Sequence, residues 1–289
     1  MRYVFAFGVG RSGTSLLGRL LACTRTPARY VTELCPGVSD RIPGSHFMVH
    51  PEDAATVQRV REAIAELGKG KCPFPDVQAH RLERDDPDAE VVIIKDIHSL
   101  LAYPELLSNL DAWRAVAITR DTTRCLDSYF YGHPRGDRRY LCADYSYLTA
   151  RIDSAAADSR IARAERSVGS RVRRYLRRPR MFTTELFRQA AIVEFISHYL
   201  RTWSTEDDRM AHVSFESLCR DPLGEAVRLF DFLDLDHDDA SLSAVRRMTS
   251  GPSDLYYATD KDSRRILDQP YKCLSRRTLR RVAAFLEHD

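Results

Sequence analysis

Lysine is nearly missing from this chain. It occurs only at Lys69, Lys71, Lys95, Lys261 and Lys272, so arginine carries almost all the positive charge and each lysine stands out. Paired cysteines are missing as well. Cys23, Cys35, Cys72, Cys125, Cys142, Cys219 and Cys273 are scattered, odd in number and never spaced Cys-x-x-Cys. That argues against a disulfide framework or a thiolate metal site and for reduced thiols in a cytoplasmic protein. No apolar run approaches the roughly 20 residues of a membrane span, and the first strand begins so close to Met1 that no room is left for a signal peptide. Nor does one sign of charge dominate: 44 basic against 41 acidic residues give a net +3, too balanced to mark a nucleic-acid binder. His46 and His50 lack the glutamate of a zinc-protease helix, so no metal is expected. With 289 residues, 44% of them hydrophobic, the chain can bury a sizeable core, and residues 1–289 are expected to form a single domain.

What is present is concentrated at the start. Tyr3 to Phe7 is an apolar run rich in aromatic and β-branched residues. It breaks into Gly8-Val9-Gly10-Arg11-Ser12-Gly13-Thr14-Ser15, and Leu16, Leu17, Leu20 and Leu21 follow at helical spacing. The pattern predicts a strand, a glycine-rich loop and a helix, in which backbone N–H groups converge at a helix N-terminus and attract phosphate or sulfate. Three ligands compete for such a loop. A Walker-type loop needs a lysine where Thr14 stands, which disfavours an ATP or GTP hydrolase. Gly8 to Gly13 satisfies the dinucleotide pattern, and Glu33 lies twenty residues on, where an acid gripping a ribose belongs, so an NAD-binding oxidoreductase stays open. The third reading takes Arg11 to Ser15 as a unit, a cationic fork beside hydroxyl and amide donors suited to a phosphosulfate. A tight turn without a ligand leaves those polar residues with no packing role.

Farther along, Arg29 to Glu33 reads as a short strand. The crevice of an α/β sheet lies at the C-terminal ends of its strands, so Glu33 is expected to face whatever the loop binds, with a solvated turn as the plainer alternative. Residues 52–68 pattern as an amphipathic helix and residues 71–87 as an irregular connection. Glu90 to Asp96 contains the continuous apolar run of a strand buried on both faces, ending in Lys95, with His98 close by as a second acid/base candidate. Ala115 to Thr119 repeats that design and delivers Arg120, after which a helix carries Ser128. Residues 130–182 are the least core-like part, a substrate-side insertion or lid. Within them, Arg160 to Arg180 reads as a solvated helix with little apolar face, or as basic cover for an acidic acceptor or the nucleotide. A helix over 184–203 returns to the core, a strand follows at 210–215, and Pro222 starts a further helix. Lys261, in a polar loop over 249–272, joins the candidate donor contacts, and a last helix runs from Leu274 to Glu287. Strands near 3–7, 29–33, 91–95, 115–119 and 210–215 separated by helices predict an α/β fold with a mostly parallel central sheet flanked by helices.

From residue 3 to about residue 235 the motifs resemble the superfamily of sulfotransferases that use 3′-phosphoadenosine 5′-phosphosulfate. Arg11-Ser12-Gly13-Thr14-Ser15 is similar to their 5′-phosphosulfate loop. Arg120, followed eight residues later by Ser128, is similar to their 3′-phosphate pair. Phe215-Glu216-Ser217-Leu218-Cys219-Arg220-Asp221-Pro222 is similar to a segment near the end of many of their cores. The chain looks closer to the tyrosylprotein and carbohydrate branch than to the steroid and phenol branch, whose loop holds a lysine and which carries a Lys-x-His pair. Here the loop holds Arg11 and the later run is Lys95-Asp96-Ile97-His98.

The resemblance implies a P-loop kinase-like strand order and in-line sulfuryl transfer without metal. Arg11, Ser12, Thr14 and Ser15 with the loop amides, Gly13 among them, would hold the phosphosulfate, and Arg120 and Ser128 the 3′-phosphate. Lys95 would neutralise charge on the leaving phosphate, and Glu33 would take the acceptor proton, with His98 as the other possible base. The acceptor is expected to be a hydroxyl-bearing small metabolite or glycan, with no nucleic-acid partner, in a bacterial enzyme. A catalytically idle nucleotide-binding relative is the remaining alternative.

Overall fold

The structure, a computed structural model, describes residues 1–32, 54–71, 82–97, 99–100, 102–132, 159–177, 185–251 and 262–287. Three of the expected site residues, Glu33, His98 and Lys261, lie outside that set. In chain order the elements are β1 (Arg2–Phe7), α1 (Thr14–Leu21), β2 (Ala28–Thr32), α2 (Ala54–Gly68), β3 (Leu82–Asp85), β4 (Val91–Asp96), α3 (Tyr103–Leu107), β5 (Trp113–Thr119) and α4 (Thr122–Gly132). They continue with α5 (Ser159–Ser167), α6 (Ser170–Arg177), α7 (Glu185–Glu206), β6 (Met210–Ser214), α8 (Phe215–Arg220), α9 (Pro222–Leu233), α10 (Asp239–Thr249), α11 (Ser263–Asp268) and α12 (Arg276–Leu286).

The six strands form one sheet in the order β3-β2-β4-β1-β5-β6. Every pairing is parallel except that of β2 with β3. This is the α/β architecture with a mostly parallel, helix-flanked sheet that the spacing of strand-like runs predicts. All six residues of β4 are buried, as expected of a central strand covered on both sides. Side-chain alternation divides the core. Val4, Ala6, Val91, Ile93, Val116 and Ile118 face the side covered by α1, α8, α9 and α10. Phe5, Phe7, Val92, Ile94, Ala115 and Ala117 face the other, where Phe7 stacks on Tyr103 at 4.3 Å and on Trp203 at 5.9 Å.

The topology fixes where the site lies. β1 sits between β4 and β5, so the glycine loop leaving β1 is flanked by the two strand ends that deliver Lys95 and Arg120.

Three segments differ from the sequence reading. Leu82–Asp85, inside the expected irregular connection, is the antiparallel edge strand. With one apolar residue in four it carries no strand pattern of its own; Arg29 Nε donates to Asp85 Oδ1 at 2.6 Å, and Arg84 reaches the carbonyls of Ala22 and Thr24, both at 2.8 Å. The arginine-rich stretch has an apolar face after all, because Ile161, Ala164, Val168, Val172 and Leu176 are buried in the core beside α7. The expected polar loop contains α11.

Candidate functional site

The loop between β1 and α1 is built for close approach. A side chain at Gly8 would overlap the Ile118 carbonyl, and one at Gly13 would overlap the Phe215 ring. Gly13 has φ +103°, a region that side-chain-bearing residues rarely enter, and Arg11 is held at φ +73°, a strained value for a non-glycine residue. Gly13 occupies the N-cap of α1 and has no side chain to cap it, so the first amides of α1 are left for a ligand. The Ser12 amide turns back to the Val9 carbonyl at 3.0 Å, while Ser12 Oγ is buried with no hydrogen-bond partner among the described residues. A buried hydroxyl without a partner is destabilising by about 1–3 kcal/mol. Thr14 is also buried, and Ser15 is exposed.

Lys95 and Arg120 approach this loop from its two sides. Alternation along β4 puts Lys95 on the α1 side with Val91 and Ile93, and alternation along β5 puts Arg120 on the same side with Val116 and Ile118. Lys95 is only 3% exposed. Its register partners are Ala6 of β1 and Thr32 of β2, so β2 brings the chain alongside Lys95 immediately before Glu33. Arg120 Nη1 donates to the Arg11 carbonyl at 3.2 Å, and Arg11 Nε donates to Ser128 Oγ at 3.3 Å. Thus the loop arginine and the distant Arg120 and Ser128 form one cluster. The Nε of Arg120 is buried and has no partner among the described residues.

Phe215 was visible in the sequence only as part of a segment, and the fold gives its ring two jobs. It closes against Gly13, and the Arg120 guanidinium lies 4.3 Å above its centroid. The stacking fixes the plane of a cation whose donors then face the loop. The segment after it is tied down by caps. Ser214 accepts the Ser217 amide at 2.9 Å to start α8, and Asp221 accepts the Gly224 amide at 3.0 Å to start α9. Glu216 Oε1 accepts the Asp121 amide at 3.1 Å, joining α8 to the entry of α4.

Asp127, next to Ser128 on α4, is a residue that the sequence gave no reason to single out. Its carboxylate accepts the successive amides of Lys272, Cys273 and Leu274 at 2.8, 2.7 and 2.8 Å. Arg124 holds the same segment through the Gln269 carbonyl at 2.6 Å and lies 4.1 Å from the Tyr271 ring centroid.

A half-buried histidine on β6 meets the end of β5. His212 Nε2 bonds Thr119 Oγ1 at 2.8 Å, and burial, then Arg201 and Arg228, push its pKa down to about 4 against a weaker opposing pull from Glu225. The unfolded chain therefore binds a proton that the folded chain refuses between about pH 6.5 and 4, and stability that is complete above pH 6.5 drains away as the pH falls through that window. Between pH 7 and pH 5 this group should remove about 2 kcal/mol of stability. Urea unfolding at the two pH values checks it: His212→Gln should shrink the acid loss by that amount, and an unchanged loss would assign it elsewhere.

The sequence model of the Sulfotransferase family matches residues 4–239. No curated protein matches the chain. Among solved structures it is similar to a sulfotransferase from Alicyclobacillus acidocaldarius, at 16% identity and a TM-score of 0.44, covering 100% of this chain and 97% of that one. It is similar to a sulfotransferase domain from the curacin biosynthetic pathway, at 14% identity and a TM-score of 0.44, covering 100% and 98%. It is also similar to a mouse sulfotransferase complexed with PAP, at 11% identity and a TM-score of 0.40, covering 98% and 82%.

Proposed function

The chain belongs to the Sulfotransferase family, and on that premise we propose that it moves a sulfuryl group from 3′-phosphoadenosine 5′-phosphosulfate to the hydroxyl of a small metabolite or glycan. The observation that carries this reading is the cluster around the glycine loop. Arg11, Arg120 and Ser128 converge there, and two buried polar atoms, Ser12 Oγ and Arg120 Nε, have no partner among the described residues. Such atoms fit a ligand with phosphate and sulfate oxygens. When bound, the donor supplies an activated sulfuryl group on a good leaving phosphate.

The residues divide the work. The first amides of α1 with Arg11, Ser12, Gly13, Thr14 and Ser15 hold the phosphosulfate end, and Arg120 with Ser128 holds the 3′-phosphate. Because Arg11 reaches Ser128, it bridges the two ends of the donor. Lys95 offsets negative charge growing on the oxygen that leaves with the phosphate. Glu33 follows Thr32, the register partner of Lys95, and accepts the acceptor's proton, with His98 as the second candidate base. Lys261 is a further donor contact. The transfer draws its positive charge from arginine and lysine and calls for no metal. Arg11 in the loop favours the tyrosylprotein and carbohydrate branch, in a cytoplasmic bacterial enzyme whose 130–182 segment serves the acceptor side of one domain. No helix among the described residues is long and apolar enough to cross a membrane.

Donor choice is tested by thermal shift. Adenosine 3′,5′-bisphosphate at a hundredfold excess over its Kd should stabilise the fold by about 2.7 kcal/mol, and AMP, lacking the 3′-phosphate, should do far less. Equal shifts would remove Arg120 and Ser128 from the 3′-phosphate. The base is tested by turnover: Glu33→Gln keeps shape and loses basicity, so the rate should fall by about 10²–10⁴ with bisphosphate affinity nearly unchanged, while His98→Asn stays mild. The reverse ranking makes His98 the base.

A further inference from the structure

Two helices far from the glycine loop in sequence carry a charge pattern that the proposed reaction does not use. α6 and α12 pack against each other and together hold eight arginines and no acid. The arginines are placed against the physics of their own helices. Arg276 and Arg277 stand in the first turn of α12, where the helix dipole disfavours cations, and each faces a like charge one turn on, at Arg280 and Arg281. Among the described residues none of Arg174, Arg276, Arg277, Arg280 and Arg281 has an acidic partner, and all five are exposed. By contrast, Arg171 caps the Ala284 carbonyl and Arg173 holds the carbonyls of Glu165, Arg166 and Val168, so those two serve the fold.

Two of the five exposed arginines, Arg174 and Arg281, border a groove of about 390 Å³ between α6, α12 and the start of α7, and Arg277 stands one turn before Arg281 on α12. Its floor is apolar: Tyr175, Phe187 and Phe285, with Arg171, Arg174 and Arg281 at the rim. The rings pack on one another, Tyr175 edge-on to Phe285 at 4.7 Å and Phe187 tilted against Phe285 at 5.1 Å, and Arg281 lies 5.5 Å from the Phe187 centroid. A nucleobase needs an open aromatic face to stack on, whereas these rings pack partly on one another and Arg281 lies over Phe187. An aliphatic side chain needs only apolar contact, and arginine forks match carboxylates in pairs.

We infer that the groove between α6 and α12 docks an acidic polypeptide segment, with an aliphatic side chain on the Tyr175–Phe187–Phe285 floor and flanking carboxylates on Arg174, Arg277 and Arg281. The site is separate from the residues proposed to hold the donor, and the docked segment needs no hydroxyl. This would tether a partner protein, or an acceptor carried on one, to the enzyme.

The test uses the whole protein and a short fluorescein-labelled peptide of Asp and Glu around a central Leu-Leu, free of hydroxyl side chains, in about 0.15 M salt. Fluorescence anisotropy should show saturable binding. Replacing both leucines with glutamine should weaken it at least about tenfold, and an oligothymidylate of similar charge should bind more weakly than the leucine peptide. In the protein, Arg174→Glu with Arg281→Glu should weaken peptide binding more than about tenfold and leave the thermal shift with adenosine 3′,5′-bisphosphate as it was. Arg276→Glu with Arg277→Glu should weaken the peptide and raise the melting temperature, since both changes relieve the helix N-terminus. No binding at this salt overturns the inference. So does equal binding of the glutamine peptide or the oligothymidylate, which would mark a general polyanion surface.

Discussion

Lys95→Met should lower turnover by about 10²–10³ and leave the melting temperature near that of the parent. Methionine keeps the stem length of the lysine and packs in its place, and removing a buried charge does not leave a new apolar void. What is lost is a cation at the end of β4, on the α1 side, flanking the loop. If its attraction is strongest when the leaving phosphate has gained charge, kcat falls much further than bisphosphate affinity. Single-turnover rates beside bisphosphate titration decide it. Equal losses in both would make Lys95 a uniform binder of the donor, with no special part in the transfer.

Gly13→Ala should be a strongly damaging single methyl addition in the loop. The position demands φ +103°, and the added carbon would overlap the Phe215 ring, which is itself the shelf under Arg120. Backbone strain of about 1–3 kcal/mol and displacement of the ring of similar size combine to a few kcal/mol, about 3 if each is near the middle of its range or below. For a chain of this size that is roughly 6–12 °C in melting temperature. Bisphosphate affinity should fall too, because moving Phe215 moves the guanidinium stacked on it. Phe215→Leu makes room for the extra methyl, so the double variant should be less destabilised than the two single changes added together. Strict additivity would mean that the overlap is relieved elsewhere and that Phe215 is not coupled to the loop.

How far the sequence reveals this protein depends on how local each signal is. The run Val91 to Asp96 announces a strand buried on both faces, and strand, glycines and leucines at 3–21 announce the anion loop, because each pattern is complete within a few residues. β3 is not legible, since its short polar run has no strand pattern and is fixed by partners distant in sequence: the edge of β2, Arg29 on Asp85, and the Ala22 and Thr24 carbonyls that Arg84 reaches. The apolar stripe of α5 and α6 is diluted by arginine, and only its burial beside α7 reveals it. In the site, Arg11, Lys95, Arg120 and Ser128 could each be picked out as a candidate from its place beside a strand end or helix. Their interlocking could not, because Arg11 and Ser128 are 117 positions apart. Asp127 was invisible for the same reason: nothing around it shows that three amides will arrive from residues 272–274.

That grip on residues 272–274 has a consequence for how the protein is made. Asp127 is next in sequence to the residue proposed to hold the donor, yet among the described residues its carboxylate accepts from amides 145 to 147 positions later. On a growing chain, the sheet and the glycine loop can assemble while Asp127 still sits in water or in an unfavourable half-buried state. On the donor role proposed for Ser128, bisphosphate affinity is therefore expected to reach its full value only once Lys272 to Leu274 have emerged and joined Asp127.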